Sequence, residues 1–200
     1  MTDSPQALVI GAGPAGLMAA EALAMAGRKV VVAEAKPSPA RKFLMAGKSG
    51  LNLTRDEPLP AFIAAYGASW LEPVLRAFGP SEAVEWARGL GVALFTGSSG
   101  RVFPVEMKGS PLLRAWLRRL DGLGVELRTR WRWTGFAGDA FAFDTPEGPR
   151  LLRPGATSTR GRRSGTWPGR IGDELRAAQA RRAPRREPGS RDGAPRAERA

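Results

Sequence analysis

The chain has 200 residues, no cysteine and no histidine, with 31 Lys+Arg against 19 Asp+Glu and a formal net charge of +12. That length can bury a real core within one domain, and the missing residue types exclude disulfides, thiolate nucleophiles, cysteine- or histidine-ligated metals and a histidine general base. No apolar run approaches the roughly 18 residues of a membrane span, and the opening MTDSPQ lacks the basic region of a secretory signal, so a cytoplasmic chain with no membrane partner is expected.

The charge is unevenly divided. Residues 1–149 carry 17 Lys+Arg and 14 Asp+Glu, a balance of +3, whereas residues 150–200 carry 14 and 5, a balance of +9. The basic excess that would suggest a nucleic-acid partner is thus mostly a property of the last quarter of the chain. That stretch has five large apolar residues in 51, namely Leu151, Leu152, Trp167, Ile171 and Leu175. These are too few to offset the entropy of ordering it, and a disordered Arg/Pro/Gly/Ala-rich tail is expected.

In chain order, Ala7-Leu8-Val9-Ile10 reads as a short buried strand. It runs into Gly11-Ala12-Gly13-Pro14-Ala15-Gly16, and Pro14 to Ala26, rich in Ala, Leu and Met with no β-branched residue, reads as a helix that Gly27 stops. Lys29 to Glu34 is a second, β-branched strand. Together these form a βαβ unit, and an α/β fold with a parallel, Rossmann-like sheet follows. Ala35 to Pro60, with prolines at 37, 39, 58 and 60, reads as a loop, and such long connections are usually functional.

Residues 61–90 read as a helical insertion, with Pro80 at a first helical turn and Val84, Trp86, Ala87 and Leu90 available for a buried face. Val92 to Phe95 and Arg101 to Phe103, around Gly97-Ser98-Ser99-Gly100, suggest a hairpin. Ser110-Pro111 is expected to cap and start a helix striped by Leu112, Leu113, Trp116, Leu117 and Leu120. Val125 to Trp133 alternates as one strand, with Val125, Leu127, Thr129, Trp131 and Trp133 on one side. Phe136, Phe141 and Phe143, with Gly135 and Gly138, suggest a β-ribbon, and the pattern stops after Gly148. No internal repeat is present.

Two glycine-containing stretches carry candidate chemistry. AGKSGLNLT, residues 46–54, ends like a triphosphate-binding loop, but such a loop needs glycine where Lys42 stands and a helix after Ser49, where Gly50 to Thr54 are turn and strand formers. GAGPAG instead matches the dinucleotide fingerprint. Gly11 would make the tight turn, Gly13 admit a pyrophosphate and Gly16 let the helix pack on the strand, while a helix starting near Pro14 directs free N–H groups at the anion. Glu34 ends the second strand, 23 residues after Gly11, where a carboxylate can accept both ribose hydroxyls. The fingerprint leaves open which dinucleotide binds.

RKFLMAGKSGLNLT at 41–54, GRVFP at 100–104 and GVELRTRWRWTGF at 124–136 resemble the bacterial aminoacetone oxidase-like, BaiN-type NAD(P)/FAD-dependent flavoproteins, over about residues 5–149. The resemblance implies FAD as the dinucleotide, oxidoreductase chemistry, and NAD(P)H as an electron donor. It also implies that Gly11, Gly13, Ala15 and Gly16 hold the FAD pyrophosphate and Glu34 the adenosine ribose. Arg41, Lys42, Gly47, Lys48, Gly50 and Asn52 would line the flavin side, and the strand at Arg132 and Trp133 would reach the adenine end through its backbone. The alternative for Arg41 and Lys42 is a solvated loop pair, and at least one of Trp131 and Trp133 is expected to pack in the core of a strand.

Two departures from the family pattern stand out. Ser49 replaces an expected glycine, and LLRPGATSTRGRRSGTWPGR replaces a buried strand and second glycine-rich turn. The composition of that replacement suggests a frameshift near residue 150. The expectation is therefore an FAD-binding domain over 1–149, the N-terminal half of a flavoprotein, with a tail over 150–200. The alternatives are a nucleic-acid-binding protein acting through the tail, or an inactive fragment. No catalytic residue and no substrate is assigned.

Overall fold

In the computed structural model, which describes residues 5–46 and 50–155, the elements run as follows. The order is β1 (Ala7–Ile10), α1 (Pro14–Met25), β2 (Val30–Glu34), α2 (Arg41–Ala46), β3 (Thr54–Arg55) and α3 (Leu59–Tyr66), then a 3-10 turn at Ser69–Leu71. There follow α4 (Glu72–Ala77), α5 (Pro80–Gly89), β4 (Leu94–Thr96), β5 (Arg101–Pro104), α6 (Gly109–Gly122), β6 (Glu126–Thr129), β7 (Arg132–Ala137), β8 (Ala140–Thr145) and β9 (Gly148–Leu152). No helix among the described residues is long and apolar enough to cross a membrane.

β1, β2 and β6 form a parallel sheet in the order β1-β2-β6, with Ala7 opposite Val30 and Val31 opposite Glu126. Its centre, Val30 to Ala33, is buried throughout, as a parallel strand covered on both faces must be. Val30 and Val32 join the main core with Leu17 and Ala20 of α1, Trp86 and Ala87 of α5, and Leu112, Trp116 and Leu120 of α6. Val31 and Ala33 point the other way, onto Phe143 and Leu152 of the antiparallel ribbon β7-β8-β9. A third sheet, β3-β5-β4, carries the expected hairpin. Among the described residues β1 pairs only with β2, and the Gly155 N–H donates to the Pro5 carbonyl at its start.

Several expectations are corrected. The supposed loop over 35–60 contains α2 and β3. The helical stretch is three helices, because Gly67 ends α3 in the left-handed region at φ 61° and Phe78-Gly79 are extended before Pro80. Ser110 lies inside α6, whose N-cap is Lys108 with extended backbone and no side-chain capping bond.

The single strand Val125–Trp133 is two strands in two sheets. Arg130 takes φ +61°, and the Arg130 and Trp131 N–H groups donate to the carbonyls of Lys36 and Glu34 at 3.2 and 2.9 Å. The chain therefore follows the exit of β2 and then turns away. Leu127 faces the main core while Trp131 packs with Phe143 in the other cluster. The pattern also continues past Gly148, since β9 pairs with β8 and ends on the buried Leu152.

Candidate functional site

The turn between β1 and α1 is held at each residue by a specific contact. Gly11, at φ +97°, donates its N–H to the Ala33 carbonyl at 2.8 Å, continuing the β1–β2 ladder one residue beyond the strand. Only glycine adopts that angle without strain. A Cβ on Gly16 would lie 1.9 Å from the Gly11 carbonyl oxygen, so the helix approaches the turn as closely as a bare α-carbon allows. Around Gly13, by contrast, a Cβ would meet nothing within 4 Å. The space beside it is open.

Gly13 is the N-cap of α1, with Pro14 in the first turn, and its carbonyl accepts the Leu17 N–H at 2.9 Å. Among the described residues no acceptor meets the N–H groups of Gly13, Ala15 or Gly16; Pro14 has none to offer. Three unpaired donors at the positive end of a twelve-residue helix, bordering open space, fit an anionic group such as a pyrophosphate.

Glu34 closes the other side. It is half-buried, and its Oε2 accepts the Ala12 N–H at 2.8 Å while Oε1 accepts the Lys36 N–H at 2.8 Å. The carboxylate therefore ties the end of β2 to the glycine turn instead of standing free in solvent. Each oxygen keeps a further lone pair for a ribose hydroxyl. The residues present thus fit both halves of an adenosine diphosphate moiety, phosphate at the helix and ribose at the acid.

Sequence pattern alone missed Ala40. Its N–H donates to the Ala12 carbonyl at 2.8 Å, it is buried, and it takes φ +52°, a left-handed angle that costs a non-glycine residue about 1 kcal/mol or more. An alanine carries no local signal for that role. The contact brings α2 back over the glycine turn, so Arg41 and Lys42 begin their helix beside it and stay exposed.

Gly50 is at φ +136°, and a Cβ there would lie 2.9 Å from the Met107 Cε. The next residue, Leu51, donates to the Met107 carbonyl, and Asn52 is exposed. Gly47, Lys48 and the departure at Ser49 lie outside the described residues.

Arg132 and Trp133 open β7, which packs beside β2. Arg132 pairs with Asp144 across the ribbon at 2.6 Å, and Trp133 Nε1 donates to the Gly135 carbonyl at 2.8 Å. It is Trp131, one residue earlier, whose backbone meets β2 beside Glu34. A cavity of about 360 Å³ lies between α5 and the β3-β5-β4 sheet, lined by Arg55, Ser81, Glu85, Arg88 and Phe95 among others. None of the residues predicted for the site borders it.

Comparison with known proteins agrees with this geometry. Among solved structures, the fold is similar to a flavocytochrome c3 fumarate reductase in its open conformation, at 19% identity and a TM-score of 0.59, covering 76% of this chain and 32% of that one. It is also similar to 3-ketosteroid-Δ4-(5α)-dehydrogenase from Rhodococcus jostii RHA1 in complex with 4-androstene-3,17-dione, at 17% identity and a TM-score of 0.57, covering 76% of this chain and 44% of that one. The chain thus spans less than half the length of either. Residues 5–150 match the family model of the HI0933-like protein Rossmann domain. With its βαβ unit, its bare-glycine turn and its strand-end acid, the chain belongs to the HI0933-like family, the aminoacetone oxidase-like, BaiN-type group that its motifs resemble.

Proposed function

We propose that this chain binds FAD and is the cofactor-binding part of a flavin-dependent oxidoreductase. The observation that carries the reading is the cradle at Gly13, open beside its α-carbon, where three N–H donors lack an acceptor among the described residues and Glu34 is bonded to the turn at Ala12. Bound FAD would supply a ring that accepts and passes on hydride. This chain's residues would bind and orient it: Gly13, Ala15 and Gly16 at the pyrophosphate, Glu34 at the ribose, and Arg41, Lys42 and the segment from Gly47 to Asn52 toward the flavin. NAD(P)H is the proposed electron donor, and the cytoplasm, where that donor is plentiful, the proposed location.

Substrate chemistry belongs to protein beyond this domain. The chain covers 32% and 44% of the two solved chains it is most usefully compared with, and β1 presents an edge that no described strand covers. These observations support the reading of a flavoprotein N-terminal part, and the Arg/Ala/Gly/Pro-rich composition after residue 150 supports a frameshift there. Sequencing the gene tests that reading: an uninterrupted frame, with no flavoprotein C-terminal half in an alternative frame, removes it.

Cofactor binding is tested on the purified full chain. A yellow protein that releases FAD, and neither FMN nor riboflavin, on acid denaturation is the expected result. A colourless protein that takes up no FAD on titration overturns it. Stopped-flow mixing of the FAD-loaded protein with NADH and NADPH then tests the donor.

A further inference from the structure

The buried charge on α1 has no part in the cofactor contacts, yet it joins three helices. Glu21 sits seven residues after Pro14, about two turns along α1 from its phosphate-facing end, and is 3% exposed. Its Oε2 accepts the indole N–H of Trp116 at 2.7 Å and that of Trp86 at 3.1 Å. Its Oε1 accepts from Arg119 Nη1 at 3.0 Å. Arg119 also donates through Nη2 to the carbonyl of Gly89, the last residue of α5. The two indoles meet edge to face at 4.7 Å. A buried carboxylate is tolerated where donors and a countercharge reach it, and all of these do.

The other buried positions of α1 explain why such a device matters. They are Leu17, Ala20 and Ala24, mostly small side chains that pack without direction and would let the helix rotate or slide a little. Directional, charge-assisted hydrogen bonds have a definite length and angle. Those at Glu21 fix α1 about its axis and along it, against α5 and α6 together.

We propose that Glu21 is a positioning residue for the anion cradle. Its bonds to Trp86, Trp116 and Arg119 set the rotation and height of α1, so that the Gly13, Ala15 and Gly16 N–H groups converge on the cofactor's pyrophosphate. The inference rests on the dinucleotide reading of the site. It predicts that disturbing Glu21 weakens phosphate recognition more than it weakens binding of the adenosine portion.

The test compares the full chain with Glu21→Gln and Trp116→Phe by calorimetric titration with ADP and with adenosine, and by hydrogen exchange of the ligand-free proteins. Loss of the charge-assisted bonds should weaken ADP binding about tenfold in Glu21→Gln and leave adenosine unchanged. Trp116→Phe, which keeps the Arg119 pair, should show a smaller loss of the same kind and serves alone if Glu21→Gln does not fold. Exchange at residues 17–20, the first hydrogen-bonded amides of α1, should quicken while β1 and β2 stay protected. Equal losses for ADP and adenosine, no loss for either, or unchanged exchange at 17–20 would each overturn the proposal. If the wild type binds neither ADP nor FAD, the cofactor reading fails, and the exchange result alone decides whether Glu21 positions α1.

Discussion

The glycine turn and the β-ribbon both contain glycines and lie on either side of the same parallel sheet, but they use their residues differently. In the turn, a Cβ at Gly16 would strike the Gly11 carbonyl, Ala12 is bonded on both its N–H and its C=O, and the Gly11 N–H is bonded to Ala33, while the space beside Gly13 is open. On the ribbon, Gly135 and Gly138 adopt positive φ, yet a Cβ at either would meet nothing within 4 Å. There Phe136 is 68% and Trp133 41% exposed, while Phe143 on the same ribbon is 1% exposed. Residue type therefore says little about importance in the ribbon. In the turn, type and role coincide because backbone approaches backbone.

Substitutions should separate the two regions, beginning with the largest effect on folding. Gly16→Ala drives a methyl into backbone that cannot yield, and we expect a loss of about 3 kcal/mol or more, read as a lower denaturation midpoint together with loss of FAD binding. A stable, FAD-binding Gly16→Ala protein would break the account of the turn. Within the ribbon, Phe143→Ala should cost about 3 kcal/mol, whereas Phe136→Ala should stay within about 0.5 kcal/mol. Equal effects in a urea titration would mean that exposure does not rank ribbon residues.

Glu34→Gln keeps the size of the side chain but replaces one accepting oxygen with a donor, leaving the Ala12 or Lys36 N–H without an acceptor. We expect a loss of about 1–2 kcal/mol in stability and a fall in FAD affinity of about tenfold, measured by unfolding and by fluorescence titration. Gly13→Ala should leave stability within about 0.5 kcal/mol, because nothing in the chain meets the added methyl and Gly13 has a negative φ of −77°. The same methyl enters the space assigned to the pyrophosphate, so FAD affinity should still fall. A variant that keeps full affinity would move the cofactor away from Gly13.

The smallest effect concerns acid pH. Arg153, by its hydrogen bond at 2.9 Å and its charge, holds the Asp139 carboxyl below its ordinary value of 3.8. A carboxyl depressed in the folded state adds stability that is fully present above pH 3.8 and is lost as pH falls through the folded value. In Arg153→Ala the Asp139 titration followed by NMR should move back up toward 3.8. Asp139 is fully exposed, so the denaturation midpoint at neutral pH should barely move.

The strand, turn and helix from Ala7 to Glu34 were legible in the residues alone because their determinants are local. A β-branched run makes a buried strand, glycines at 11, 13 and 16 make a turn that a helix can approach, and an acid falls at the end of the next strand. The basic tail was equally plain as composition, although residues 156–200 lie outside the described part of the chain. Where contacts come from far along the chain, sequence pattern had nothing to act on. The break at Arg130 depends on carbonyls at Glu34 and Lys36, and the alternation through Trp133 that suggested a single strand is interrupted by those bonds. Ala40 adopts a left-handed angle because the Ala12 carbonyl is there to receive its N–H.

Glu21 marks the boundary between the two kinds of information. A lone carboxylate among Leu17-Met18-Ala19-Ala20 and Ala22-Leu23-Ala24 is visible in the sequence as an anomaly. Its partners stand 65, 95 and 98 residues away. By itself the sequence determined that a helix would follow the glycine turn, since propensity and steric demand act between near neighbours. Only the tertiary structure decided how that helix is held, because a buried charge takes its meaning from whichever donors the fold brings to it.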